Sequence, residues 1–245
     1  MAKLVLQPKR PAACDLAEFL RRQSRDSFSY PEVGATAGEF PSGYDHDRER
    51  VLLGGGDAVW VAACEALRQW RQFPAAWTEI FPAGAPLTAG TDVVLLAHVL
   101  GLWWVNGCRI VYPIDEAGPP RRFGPVGRGS PDPAPAGDLR SPLRRGRETC
   151  AEHEIDEAGL PRRFGFAYGT LPSHVERGEE RFLIEQDDAG QVWYEIAAFS
   201  RPRHWLARLG YPLVRRYQAK FRRESAAAMQ AFVRCAGTEQ IACRS

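Results

Sequence analysis

An α+β fold, built as a curved antiparallel β-sheet wrapped around a long C-terminal helix, is what this sequence predicts. The segments TDVVLLAHV, LWWVNGCRIVY, RRFGFAYGTL, EERFLIEQ and VWYEIAAFS are rich in β-branched and aromatic residues and are separated by turn signals. From about His204 to Arg234 the apolar residues instead recur at spacings of three and four, the period of an amphipathic helix. Two shorter helical patterns precede the run of strands. A run of strands followed by a closing helix buries one sheet face against that helix, an α+β arrangement.

Asp15–Gln23 form a short amphipathic helix, followed by the turn-rich stretch SYPEVGATAGEFPSGYDHDRER, and Val51–Leu53 read as a short strand. LGGGD then opens a helix in which Asp57 is the expected N-cap and Val59, Ala62, Ala63, Ala66, Leu67 and Trp70 recur at helical spacing. Pro74 ends it. Asp187-Asp188-Ala189-Gly190 is a hairpin turn between the last two strands. In the closing helix Leu206, Leu209, Leu213, Tyr217, Phe221, Ser225, Ala228 and Phe232 make one apolar stripe, on which Leu213, Tyr217 and Phe221 are expected to be buried. Arg215, Arg216, Lys220, Arg222 and Arg223 fall on the opposite side, read as a solvated face. Pro212 lies inside this pattern, so Gly210-Tyr211-Pro212 should kink the helix or begin a second one.

One segment is written twice. IDEAGPPRRFG starts at Ile114 and IDEAGLPRRFG at Ile155, 41 positions later, with ten of eleven letters identical. A stacked repeat architecture needs at least about three units, and there is no third copy. The intervening sequence is dense in Pro, Gly and Arg and nearly devoid of large apolar residues, so it cannot offset the entropy of ordering. Without Ile114–Glu154, VYP runs straight into IDEAGLPRRFGFAYGTL and makes an uninterrupted hairpin. The segment is therefore read as an insertion at a hairpin tip, born of a tandem duplication. Residues 1–235 are expected to form a single domain interrupted at 114–154, with 236–245 as a tail.

Composition narrows the function classes. A chain of 245 residues, 44 % hydrophobic and 25 % charged, can bury a sizeable core without disulfides or metals. Leu4-Val5-Leu6 is too short for a signal-peptide core, and Val93–Val105 is too short to span a bilayer. A cytoplasmic location with no membrane span is expected, with the six scattered cysteines as free thiols. A net charge of +2 makes no case for a polyanion. The basic helix face lacks interleaved stacking aromatics, so no nucleic acid partner is expected. LGGGD lacks a following Gly-Lys-Ser/Thr, and Asp57 would repel a phosphate there. Asp45-His46-Asp47 cannot readily converge on one ion, EHEIDE has no second histidine, and no metal or cofactor is expected. There is no G-x-S-x-G and no oriented base for a cysteine nucleophile.

Several longer motifs occur together: YPEVGAT (Tyr30–Thr36), PSGYDHDR (Pro41–Arg48), LGGGDAVWVAACEALRQWRQF (Leu53–Phe73), RRFGFAYGTLPSHVERGEERF (Arg162–Phe182), WYEIAAFSRP (Trp193–Pro202) and LARLGYPLVRRYQAKFRRES (Leu206–Ser225). In this combination the chain resembles uncharacterised protein family 0548, a domain-of-unknown-function family of bacteria and plants. The resemblance covers nearly the whole chain apart from the insertion and the last ten residues. It implies a helix-grip fold like that of the START lipid-transfer domains and the birch-pollen-allergen superfamily, in which sheet and closing helix enclose an apolar cavity. It implies no activity.

Candidate site residues follow from strand parity. Trp193, Glu195, Ala197 and Phe199 share one face; were it to line a cavity, Glu195 would be a desolvated carboxylate suited to acid–base chemistry. Arg109 shares a face with Trp103, Val105 and Val111 and is its candidate partner. Phe164, Phe166 and Tyr168 alternate on one face, as cavity lining or as core. Glu195, Arg109, Tyr168, Phe166 and Trp103 are therefore the expected ligand-binding residues, for a small hydrophobic or amphipathic molecule. An enzyme of the same fold, cyclase- or hydrolase-like, would use Glu195, Tyr168 or His98. An interaction module would have a packed interior instead.

Overall fold

Eight strands form one antiparallel sheet in the computed structural model, which describes residues 6–116, 161–203 and 209–242. They are β1 (Leu6–Gln7), β2 (Asp45–Gly55), β3 (Thr78–Phe81), β4 (Asp92–Val99), β5 (Leu102–Glu116), β6 (Arg162–Thr170), β7 (Glu176–Gln186) and β8 (Gln191–Pro202). The order across the sheet is β2-β8-β7-β6-β5-β4-β3, with β1 added beside β5 at Trp103 and Trp104. Among the described residues there are three α-helices, α1 (Ala13–Gln23), α2 (Asp57–Arg68) and α3 (Tyr211–Ala242), and a short 3-10 turn at Ala35–Ala37. This is the α+β arrangement expected, a sheet wrapped on a long C-terminal helix, and it has the helix-grip form.

Packing separates the two faces of the sheet. On the concave face Ile110, Phe164, Phe166, Phe182, Ile184, Tyr194 and Ile196 form one core with Trp60, Leu67 and Phe73 and with Met229 and Val233 of α3. Tyr194 and Ser225, both buried, share a hydroxyl–hydroxyl bond of 2.8 Å that fixes α3 to β8. On the convex face α1 sets Leu16 against Val94, Leu96 and Val105. Next to it the loop between α1 and β2 places Tyr30, Phe40 and Tyr44 around Phe199, with ring centroids 5.0–5.8 Å apart. Backbone comes close enough here that a Cβ on Gly107 would meet the Gln23 side chain, and one on Gly169 would meet Tyr30 and Phe28.

A buried carboxylate holds that loop. Glu179 of β7, 2 % exposed, accepts bonds from Tyr30 Oη at 2.7 Å, Gly34 N at 2.7 Å, Thr36 N at 3.0 Å and the Thr36 hydroxyl. A carboxylate with its lone pairs filled this way can stay buried without a cation. The motif YPEVGAT is thus a carboxylate-binding turn. Arg109 does the matching work for α1, donating to the Gln23 and Ser24 carbonyls at 3.1 and 3.2 Å and to the Asp26 carbonyl at 2.8 Å. Gln23 and Ser24 are the last residue and the C-cap of α1, where carbonyls lack further helical partners.

Several local expectations change. β2 runs over eleven residues and includes Asp45-His46-Asp47, which had read as a loop because its side chains are charged. β2 is an edge strand, where charged residues are ordinary. β1 and β3 were not foreseen. Asp57 does not cap α2: Gly56 is the N-cap with no side-chain bond, and Asp57 pairs with Arg162 at 2.6 Å. α3 begins at Tyr211, so Pro212 stands in a first turn, where its missing N–H costs nothing. Over residues 211–236 the buried positions of α3 are Ser225, Ala226, Met229 and Val233, whereas Leu213 is 41 % exposed and Tyr217 and Phe221 are half-buried. The basic face is not wholly solvated, because Arg215 and Arg222 turn onto Asp47 of β2 at 2.5 and 2.9 Å. His204–Arg208, expected to start the helix, lie outside the described residues.

The doubled segment meets itself in the sheet. Ile114, Asp115 and Glu116 of the first copy pair with Gly165, Phe164 and Arg163 of the second. Residues 117–154 of the expected insertion lie outside the described residues. Because of the duplication, removing Ile114–Glu154 or Ala117–Glu157 leaves the same chain. In it Ala158–Arg162 would close the β5–β6 hairpin, a loop length hairpins commonly use. A protein lacking these 41 residues should fold and melt within a few degrees of the full chain, by circular dichroism. Loss of cooperative melting in the shortened chain would show the segment to be part of the core.

Candidate functional site

The helices do not cover the concave face evenly. Near α2 the space is filled by aromatic rings: Trp70 on Phe166 at 4.9 Å, Phe166 on Phe182 at 5.3 Å and Phe73 on Phe221 at 5.3 Å. Beyond Phe221, toward the start of α3, the facing strands carry Ala97, Thr170, Gly178, Ala198 and Ser200. Ala97, Gly178 and Ala198 are too small to reach the helix, and Ser200 meets it only at the end of the long Gln218 side chain, at 3.2 Å. A cavity of about 480 Å³ remains, within the range of small-molecule sites.

Its walls are largely apolar. Leu95, Val99, Leu102 and Trp104 contribute from the β4–β5 hairpin, Trp77 from the segment before β3, and Val214, Tyr217 and Phe221 from α3. Leu100 and Leu213, which are exposed, stand at the rim.

One end of the cavity is polar. Glu176 and Glu180 lie four residues apart on β7 and so face the same way. Between them is Gly178 at φ +150°, where a Cβ would run into the Phe199 carbonyl. Glu176 accepts from the amide nitrogen of Gln218 at 2.7 and 2.8 Å. Glu180 accepts from the hydroxyl of Tyr168. Burial pushes the Glu180 carboxyl up to about 7, against the Tyr168 hydrogen bond and the charge of Arg222. Burial likewise raises Glu176 to about 7, against Gln218 and Arg215. His174 also lines the cavity; burial lowers its pKa to about 4, and its Nδ1 accepts from the backbone N–H of Glu176 at 3.0 Å. Near neutral pH this end therefore holds carboxyls poised between donor and acceptor forms beside a neutral imidazole.

Of the expected site residues, Tyr168 lines the cavity. Phe166 faces the same side but is wholly buried under Trp70 and Phe182, so it is core. Glu195, Arg109 and Trp103 point to the convex face, and Glu195 does not meet Arg109. Glu195 pairs with Arg181 at 2.6 Å, and Arg181 also donates to the Thr36 carbonyl. Arg109 pairs with Asp92 at 2.5 Å. Trp103 stacks on the exposed His98 at 4.8 Å, which removes His98 from the cavity as well. The error has a physical source. Both faces of β5 and β8 are covered, so VWYEIAAFS is apolar on both sides and carries no alternation from which to read its parity. Glu176 and Glu180 were missed, although SHVERGEERF does hold two carboxylates four positions apart, each two residues from a glycine.

Fold and cavity together define a class: a helix-grip α+β domain with an apolar chamber between sheet and closing helix. The family model described as Domain of unknown function (DUF1990) matches residues 29–228, and the chain belongs to that family. The UPF0548 protein of Deinococcus radiodurans is 34 % identical over 246 residues, covering 95 % of this chain and 98 % of the relative. The UPF0548 protein At2g17695 of Arabidopsis thaliana is 30 % identical, over 76 % of this chain and 72 % of its own. That of Dictyostelium discoideum is 28 % identical over 87 % and 88 %. Among solved structures, hypothetical protein jhp0584 of Helicobacter pylori superposes with a TM-score of 0.44 at 8 % identity, covering 85 % of this chain and 96 % of that one. Ara h 8.0201 gives 0.37 at 11 %, covering 78 % and 98 %.

The raised carboxyls make stability depend on pH. A folded-state pKa near 7 against about 4.3 in the unfolded chain means a contribution that is present below about pH 4.3 and lost as pH rises through 7. His174 acts in the opposite sense between about pH 4 and 6.5, so the comparison is best made within one substitution. Glu180→Gln should stabilise the protein more at about pH 8 than at about pH 5, by on the order of 1–2 kcal/mol in denaturant titrations. Equal effects at both values would mean that Glu180 is not desolvated.

Proposed function

We propose that this protein binds a small, largely apolar molecule with one polar end, held in the chamber beneath the first turns of α3. The carrying observation is the pairing of a cavity of about 480 Å³ with two partly buried glutamates at one end. Apolar walls would supply most of the affinity by removing ligand surface from water, at about 25 cal/mol per Å². The polar end would fix the ligand's orientation, as the few polar groups of small-molecule sites do. A packed interior, the requirement of a pure interaction module, is not what the small residues Ala97, Gly178 and Ala198 provide. The enzyme reading retains Tyr168 but loses Glu195 and His98 as cavity groups.

No helix among the described residues is long and apolar enough to cross a membrane. Cys14, Cys64, Cys108 and Cys235 are free thiols, which supports a reducing compartment and so the cytoplasmic location expected from the sequence.

Ala198 offers a test from within the wall. Ala198→Phe places a ring in the chamber and should weaken binding of decan-1-ol at least about tenfold, a change of about 1.4 kcal/mol. Trp77 and Trp104 line the cavity, so their fluorescence reports occupancy. Native mass spectrometry of the unsubstituted protein should show a retained small molecule that the Ala198→Phe protein lacks. Unchanged decanol affinity in a folded Ala198→Phe protein would contradict the proposal.

A further inference from the structure

Resting on that reading, we infer that the polar end of the chamber receives a cationic head group, so that the ligand class is an apolar amine. The charged groups facing this end decide the matter. Asp47 is the partner of both nearby cations, taking Arg215 at 2.5 and 2.8 Å and Arg222 at 2.9 Å. Glu176 and Glu180 have only neutral donors, the Gln218 amide and the Tyr168 hydroxyl, and neither is in an ion pair with a described residue. The two arginines share Asp47, and their charge reaches Glu176 and Glu180 only from beyond ion-pair distance, which leaves three carboxylates at this end to two arginines.

An ionised carboxylate has about four acceptor positions. Glu180 uses one of them and Glu176 two on the bonds above, so both keep acceptor capacity toward the chamber. An ammonium group has three donors and no acceptor, and fills that capacity. It also removes the main cost of the site, because a desolvated carboxylate is stabilised strongly by an opposite charge at contact distance. A carboxylate head group would add a third negative charge beside Glu176 and Glu180 and would have to displace Asp47 from its arginines. A hydroxyl head group would be tolerated but would neutralise nothing.

The test uses the full chain at about pH 8, where an alkylamine is cationic, with decylamine, decan-1-ol and sodium decanoate as probes of equal chain length. Binding is followed by tryptophan fluorescence and isothermal titration. Decylamine should bind about tenfold or more tighter than decanol, and decanoate more weakly than either. Glu176→Gln and Glu180→Gln should each lower the preference for decylamine over decan-1-ol about tenfold, with circular dichroism and cooperative melting showing that the variants remain folded. Equal affinity for the three probes, tighter binding of decanoate, or an amine preference that survives both substitutions would overturn the inference and leave the chamber reading standing. Failure of all three probes to bind would overturn the chamber reading and this inference with it.

Discussion

The concave face of the sheet is longer than its helices can fill, and this mismatch governs the rest of the structure. A curved sheet must bury its inner face, yet α2 and the C-terminal half of α3 pack on only one end of it. Where they do, bulky rings meet at 4.9–5.8 Å and the interior is dense. Where they do not, the strands carry small residues and the first turns of α3 span the gap as a roof. A void with apolar walls is costly to keep empty, since its lining forfeits dispersion contacts. Larger side chains at Ala97 and Ala198 would close it, so its survival as open space is coherent with an occupant.

The other face is closed by different means. Glu179 is satisfied by backbone and hydroxyl donors and Arg109 by backbone carbonyls and Asp92, and together they tie the segment from α1 to Thr36 to the sheet. Breaking one partner of such a network leaves a buried charge unsatisfied, which costs more than the bonds contribute. Glu179 and Glu180 are neighbours on one strand and face opposite ways. The outward carboxylate is spent on structure, while the inward one has a single hydrogen bond among the described residues. That contrast separates an architectural acid from one available to a ligand.

Much of the fold was legible because its signals are local. Strand segments, the Asp187–Gly190 turn and the closing helix each announce themselves through period and turn chemistry, and the Tyr211 start of α3 follows from Pro212. The site was less legible, because it depends on which face of each strand looks inward. Alternating polarity gives that answer only when one face is wet. Here the α1 segment and the YPEVGAT turn cover the outer face, so Glu195 looked like a cavity acid when it is a convex-face partner of Arg181. Phe166 and Tyr168 share a face, yet one is core and the other lining, a distinction set by Trp70 arriving from a distant part of the chain. Asp47 read as a loop residue because its two arginines lie more than 160 positions away.

At the chamber's inner end Glu176 and Glu180 sit in a low-dielectric pocket, in no ion pair with a described residue. Carbon-13 NMR of the side-chain carboxyls of Glu176 and Glu180, titrated in the unliganded protein, measures that directly. Midpoints near 7 for both are the predicted result. Midpoints at the ordinary glutamate value of about 4.3 would contradict it, because they would place both carboxyls in water rather than at the end of an apolar chamber.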